Sequence, residues 1–274
     1  MRRNRIWRRY KPFISTGIQG LITYRVDFIL YRIGDVIGAF VAFYLWKAVF
    51  DSSSQSLIQG FQLSDMILYI IMSFVTNLLT RTDSSFMIGD EVKDGSIIMR
   101  LLRPVHFAAS YLFMEIGSRW LIFLSIGVPF LLVITGVRLF LGTDLIQAIV
   151  LVVFYIISII LAFLINFFFN ICFGFSAFVF KNLWGSNLLK NSLVAFMSGS
   201  LIPLTFFPKI VADILGFLPF SSLIYTPVMI IIGKYDGSQI VQALLLQIFW
   251  LIVMVALSQL IWKKVQLHIT IQGG

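Results

Sequence analysis

Chemistry-bearing side chains are sparse in these 274 residues, and their spacing matches no common catalytic or metal-binding pattern. His106 and His268 have no second ligand at metal spacing, and His-Glu-x-x-His does not occur. Ile88-Gly-Asp90 has Met87 where intramembrane aspartyl chemistry needs a glycine, and no second aspartate is placed to complete a dyad. Ser198-Gly199 has Phe196 at the upstream glycine position of a serine motif, and neither histidine is placed to act as its base. No Gly-x-x-x-x-Gly-Lys-Ser/Thr is present, so the chain carries no phosphate-cradling loop. Cys172, the single cysteine, cannot form a disulfide within the chain and reads as a small buried hydrophobe. Enzymatic activity is not expected.

What remains is a handful of polar side chains inside apolar stretches, where they cost free energy unless used. Asn166 and Asn170, at i and i+4, read as hydrogen-bonded glue between helices or as contacts for a passing substrate. Glu115 and Arg119 share that spacing and read as an ion pair near a membrane interface, and Arg32 with Asp35 reads the same way. No span carries the interior acidic residue that a proton relay would use.

The elements that hold these residues follow from composition. A chain that is 59% hydrophobic and 12% charged, with mean hydropathy +0.96, has too little polar surface to coat a soluble globule, so it is an integral membrane protein of all-α class. Runs of roughly 20 apolar residues give six spans, near 33–50, 64–80, 107–135, 146–179, 186–201 and 239–262. The fourth is longer than a bilayer requires and must tilt, kink or extend past the surface. Between the fifth and sixth spans, 202–237 is apolar but carries Pro203, Pro208, Pro219 and Pro227, so it cannot be one spanning helix. Irregular backbone at membrane depth must be buried in protein or line a wet cavity. This segment is expected to dip into one face of the membrane and help build a passage.

Lysine and arginine placement sets the orientation. With a cytoplasmic N-terminus, seventeen of the 21 basic residues fall inside, leaving Lys47, Arg138, Lys209 and Lys234 outside. Both termini and the 81–106 loop are then cytoplasmic. The charge tracks membrane sides, so nucleic acid is not expected as a partner. The basic N-terminus lacks an adjacent apolar core with a small-residue cleavage site and reads as retained. Within residues 1–32, Ile14, Ile18, Leu21, Ile22 and Phe28 recur at helical spacing after a basic cluster, as in an interfacial amphipathic helix or a simple topology anchor.

The 81–106 loop holds eight charged residues. Asp83 or Ser84 can cap a short helix that Gly95 ends, and Pro104 closes the apolar-basic turn from Ile97 to Arg103. Its charges, Asp90, Glu91, Asp94, Arg100 and Arg103 among them, accompany four large aliphatics, Ile97, Ile98, Leu101 and Leu102. A merely solvated loop has no need of these aliphatics, so the element reads as a docking surface for a cytoplasmic partner.

Gly95-Ser-Ile-Ile-Met-Arg-Leu-Leu-Arg-Pro104, Ser198-Gly-Ser-Leu-Ile-Pro203, Phe206-Phe-Pro208, Leu218-Pro-Phe220, Tyr225-Thr-Pro227 and Gln272-Gly-Gly274 together resemble the ABC-2 type transporter permeases. The likeness is greatest to export permeases, linked to drugs or natural products, that lack a fused ATPase. It implies an interfacial helix before span one, a coupling helix between spans two and three that engages the ATPase subunit, and re-entrant helices between spans five and six. The coupling element would hold Asp90, Glu91, Asp94, Gly95, Ile97, Arg100, Leu101, Leu102, Arg103 and Pro104. Asn166 and Asn170 would face the path, with Pro203, Phe206, Phe207, Pro208, Pro219 and Phe220 at the outer gate. The resemblance further implies two ATP-binding cassette ATPase subunits carrying ATP and Mg, a second permease, identical or related, and residence among the lipids of a cell membrane. The substrate would be an amphipathic, lipid-like or natural-product molecule moved outward. Half of a secondary transporter, and a noncatalytic immunity or scaffold protein, are the alternatives.

Overall fold

The computed structural model describes residues 2–53, 56–140, 142–180 and 182–267. Lys181, His268 and the Gln272-Gly-Gly274 motif lie outside the described residues. In chain order the helices are α1 (Arg2–Thr23), α2 (Arg25–Ser52), α3 (Leu63–Thr80), α4 (Ser84–Asp94), α5 (Ile97–Leu101), α6 (Phe107–Ile122), α7 (Val128–Phe140), α8 (Leu145–Gly174), α9 (Trp184–Met197), α10 (Lys209–Phe217), α11 (Tyr225–Ile231) and α12 (Gly237–Gln266). Among the described residues every regular element is helical, and five helical stretches are long and apolar enough to cross a membrane: Arg25–Ser52, Leu63–Asp94, Phe107–Phe140, Leu145–Phe178 and Gly237–Gln266.

These stretches overlap five of the six expected spans. The run at 186–201 forms only α9, 14 residues long. At 1.5 Å per residue this is about 21 Å, against roughly 30 Å of hydrocarbon. The helix cannot simply continue, because Gly199 adopts φ 78° and Pro203 has no N–H to donate. The chain then runs through a 3₁₀ turn at Leu204–Phe206, α10 and α11. Pro208 sits at the N-cap of α10 and Pro227 in the first turn of α11, where a missing donor breaks no helical hydrogen bond. This irregular stretch is not bare: residues 221–232 are all buried, and α11 packs between α3 and α8.

The N-terminal region differs from expectation in one boundary. The helix entering the membrane begins at Arg25 rather than near 33, because only Tyr24, with ψ 36°, leaves the helical conformation. Before that break α1 lies along α6 with its backbone in direct contact. A Cβ at Gly17 would stand 1.9 Å from the Met114 carbonyl oxygen, and one at Gly117 2.2 Å from that of Ile14. Tyr10 stacks on Phe113 in the same seam, with ring centroids 4.6 Å apart.

α8 is the central post. Its 30 residues span about 45 Å, contacting α3, α11 and α12 and, near its C-terminal end, α4. The last turn tightens to a 3₁₀ helix at Phe175–Phe178, so the excess length continues past α4. The third span widens to a π-helical turn at Phe123–Gly127 just before Pro129, whose missing N–H interrupts the ladder. One hydrophobic cluster gathers α3, α11 and the outer halves of α7 and α8; a second gathers α4, α6 and the inner end of α8. The bundle therefore has two built ends. One carries Phe61, Leu204 and α11, with Lys234 paired to Asp65 at 2.5 Å. The other carries α4, α5, the start of α9 and the last turn of α8, and it is the end that the charge asymmetry assigns to the cytoplasm.

Candidate functional site

Two constellations occupy this second end. The first is α4–α5: Asp83 holds the N-cap position of α4 but its carboxylate makes no cap hydrogen bond, turning to Arg81 and Arg119 instead, and Gly95 ends α4 at φ 81°, a left-handed conformation that favours glycine. Glu91 and Arg100 do not face outward. Arg100 Nε donates to Glu91 Oε2 at 2.8 Å, a second guanidinium nitrogen reaches Glu91 Oε1, and Tyr111 donates its hydroxyl to the same carboxylate at 2.7 Å. The guanidinium also lies 3.8 Å from the Tyr111 ring centroid and donates to Ser110. This clamp folds α4 and α5 onto α6. Burial opposes the Arg100 charge, yet the hydrogen bonds and attraction of Glu91 hold its pKa above the ordinary value.

The four aliphatics divide between core and surface. Ile97 is 6% exposed and packs in the inner cluster, and Leu101 packs against that cluster, whereas Leu102 is 75% and Met99 65% exposed, with Ile98 between these extremes. Asp90, Lys93, Asp94, Arg103 and Pro104 are also exposed. The α4–α5 element thus exposes Met99 and Leu102 together with charged side chains.

Glu115 joins this element to the membrane helices. It is 2% exposed and accepts from the Asp83 backbone N–H at 2.6 Å and the Ser84 hydroxyl at 3.1 Å. Arg119 donates to Asp83 at 3.1 Å and to Glu115 at 3.4 Å. The expected i,i+4 pair is present, and so is Arg32–Asp35 at 2.8 Å. The expectation that no span holds an interior acid needs correction: Glu115 is one. Its oxygens are engaged by Arg119, by Ser84 and by the first backbone donor of α4, so it serves as a buried cap.

The second constellation is polar and lies between α3, α8 and α9. Asn166 donates its amide to the Thr80 carbonyl at 2.9 Å, and Asn170 donates to Asn166. They act as interhelical glue and also line a cavity of about 230 Å³. Lys190, which sequence reasoning counted only as cytoplasmic charge, is 6% exposed and lines it too. Its ammonium donates to the Ser85 hydroxyl at 2.8 Å and to the amide oxygens of Asn170 and Asn187. Phe173 lies 4.9 Å away, centroid to Nζ. Asn187, Lys190 and Asn191 on α9, with Ser198 just past its end, recur at helical spacing, a polar stripe that was available as a signal.

At the opposite end, Phe206 packs edge-on against Trp46 at 4.7 Å and Phe220 against Phe169 at 5.4 Å, while Phe207 meets Phe196. Pro203 and Pro219 are buried and Pro208 is exposed. These residues are not brought together with Asn166 and Asn170 except through the Phe169–Phe220 contact. Among the described residues no group of three or more His, Cys, Asp or Glu side chains could hold a metal ion.

A family model described as ABC-2 family transporter protein matches residues 36–273. No curated protein matches the chain.

Proposed function

Because the chain belongs to the ABC-2 family of transporter proteins, we propose that it is the membrane-spanning subunit of an exporter whose ATP hydrolysis occurs on separate ATPase chains. The observation that carries this reading is the α4–α5 segment, where Met99 and Leu102 stand exposed on the same short element as the exposed charges Asp90, Lys93, Asp94 and Arg103. Apolar anchors accompanied by charged side chains are what a protein partner desolvates on docking. Two ATPase subunits, holding ATP and Mg, would sit beneath two permeases. Their closure would push on α5, and the Glu91–Arg100–Tyr111 clamp would pass that push to α6, while Ile88 against Gly174 would pass it to α8.

In this reading residues 1–32 lie in or next to the inner interface and 33–274 form a six-span unit. α9 and the turn after it serve as a short fifth crossing, 81–106 as the coupling loop and 202–237 as an outer re-entrant segment. The apolar outer surface of α2, with Ile33, Ile37, Phe40 and Tyr44 exposed, supports contact with lipid or a second permease. The moved molecule would be amphipathic, leaving outward between the paired subunits.

The docking face is tested by copurification of the ATPase subunit. Leu102→Asp and Asp94→Lys are expected to weaken copurification at least tenfold while membrane insertion is unchanged, since desolvated anchors commonly cost about 2 kcal/mol or more when lost. Undiminished copurification in both variants would mean that this face is solvated only.

Orientation has its own test, by cysteine labelling in a Cys172→Ser background. Asp94→Cys is expected to react only from the cytoplasmic side, and the exposed Asp213 on α10, replaced by cysteine, only from outside. Labelling of both from one side would overturn the six-span arrangement.

A further inference from the structure

Resting on the exporter reading, we infer that the cavity beside Lys190 receives the negatively charged headgroup, phosphate or carboxylate, of an amphipathic substrate. Lys190 is buried, yet no carboxylate lies within 4.0 Å of its ammonium among the described residues. Its three donors meet only the neutral oxygens of Ser85, Asn170 and Asn187. The nearby carboxylates are already engaged: Asp83 accepts from Arg81 and Arg119, and Glu115 from Arg119. Lys190 therefore adds a positive charge that nothing in direct contact balances, and a buried charge is costly without a counter-ion.

The cavity is shaped to supply one. Arg81 and Lys190 line it together, and Thr82 lines it with a buried hydroxyl that has no hydrogen-bond partner. Asn191 and Ser200 add neutral polar groups to the lining, and Phe169, Leu223 and Ile224 add apolar ones. An anionic headgroup against Lys190, Arg81 and Thr82 would leave its apolar portion against the phenylalanine and aliphatic side chains. The zwitterionic analogue brings a cation of its own to the same lysine and is disfavoured.

Native mass spectrometry of the full-length chain in neutral detergent tests the inference without any ATPase, so failure here is distinct from failure of the exporter reading, which copurification addresses. The probes are lysophosphatidylglycerol, lysophosphatidylcholine and inorganic phosphate. At equal concentration the anionic lysolipid is expected to bind at least tenfold more than the zwitterionic one. Lys190→Met should bring that preference close to parity, Lys190→Arg should retain most of it, and Thr82→Val should lower it about threefold. The basic N-terminus is the same in every variant, so the readout is the difference from the parent. Lys190→Gln takes the place of the methionine variant if the latter does not fold. Inorganic phosphate that displaces the lysolipid and itself depends on Lys190 would identify a free anion as the source; a lysolipid response alone would identify the amphipath. Equal binding of the two lysolipids to the parent chain, or an undiminished preference without Lys190, overturns the inference.

Discussion

Glu115→Leu is expected to detach α4 from the membrane bundle and, on the exporter reading proposed above, to abolish coupling between ATPase and transport. Glu115, itself buried, accepts from the backbone N–H of Asp83 just before α4, from the Ser84 hydroxyl and from Arg119. Its removal leaves Arg119, whose side chain is 14% exposed, with Asp83 as its carboxylate partner and with the Leu78 carbonyl, and leaves two donors unmet. Breaking one member of a buried ion pair costs about 3–5 kcal/mol, and an unmet buried donor adds about 1–3 kcal/mol. The readout is maleimide labelling of a cysteine at Ile88, a fully buried position on α4, in the Cys172→Ser background. Labelling should rise more than tenfold in the Glu115→Leu variant. Glu115→Gln, which keeps the acceptor oxygen, should sit between. The Glu115→Leu, Arg119→Leu double variant should recover part of the loss, since no unpaired charge then remains buried. Unchanged protection of position 88 in Glu115→Leu would show that α4 is held by its apolar contacts alone.

The ion pair itself was legible in the sequence, because i,i+4 spacing on a helix places two side chains on one face. Its third partner was not, since the N-terminus of α4 meets α6 only after the chain has folded back through α5. The same distinction runs through the rest of the fold. Apolar length marks spans, and it marked five of them. At 186–201 the helix that forms is shorter than the apolar run, because hydropathy averages over Gly199 and the approach to Pro203, where the backbone leaves the helix. The end of α4 was readable from Gly95 alone, since a left-handed residue after a capped helix favours glycine. The inward turn of Ile97 and the outward turn of Leu102 were not readable, because a five-residue helix has too few positions to establish a periodic face. For Asn166 and Asn170 the sequence left glue and path as alternatives, and the structure gives them the hydrogen bonds of the first and a place in the lining of a cavity. Lys190 was hidden by its own charge. A lysine near a predicted cytoplasmic boundary counts toward orientation, and only the neighbouring Asn187 and Asn191 at helical spacing hinted that this one turns inward.

The largest effect from the smallest change is expected at the seam between α1 and α6. Gly17 and Gly117 lie where the two backbones touch, each facing a carbonyl oxygen of the other helix. A real Cβ cannot approach a carbonyl oxygen to 2.2 Å, and the obstacle at both sites is main chain, so no rotamer change relieves it. Gly117→Ala must therefore push the helices apart, losing the Tyr10–Phe113 stack and opening the cavity between α1, α2, α4 and α6 that Arg32 and Arg119 line. Overpacking of this kind typically costs about 1–3 kcal/mol. Among the described residues α1 packs chiefly against α6, so that cost falls on its main contact. Disulfide crosslinking between cysteines at 10 and 113, again without Cys172, should be efficient in the parent and fall at least tenfold in Gly117→Ala and in Gly17→Ala. Gly20→Ala is the control, since a Cβ there meets nothing within 4 Å, and its crosslinking should match the parent. Helix propensity favours alanine over glycine by about 1 kcal/mol at all three positions. A propensity effect alone would thus strengthen α1 or α6 in every variant, and only backbone contact predicts loss at 17 and 117 with none at 20. Equal crosslinking in all three would show that the two backbones do not touch at Gly17 and Gly117.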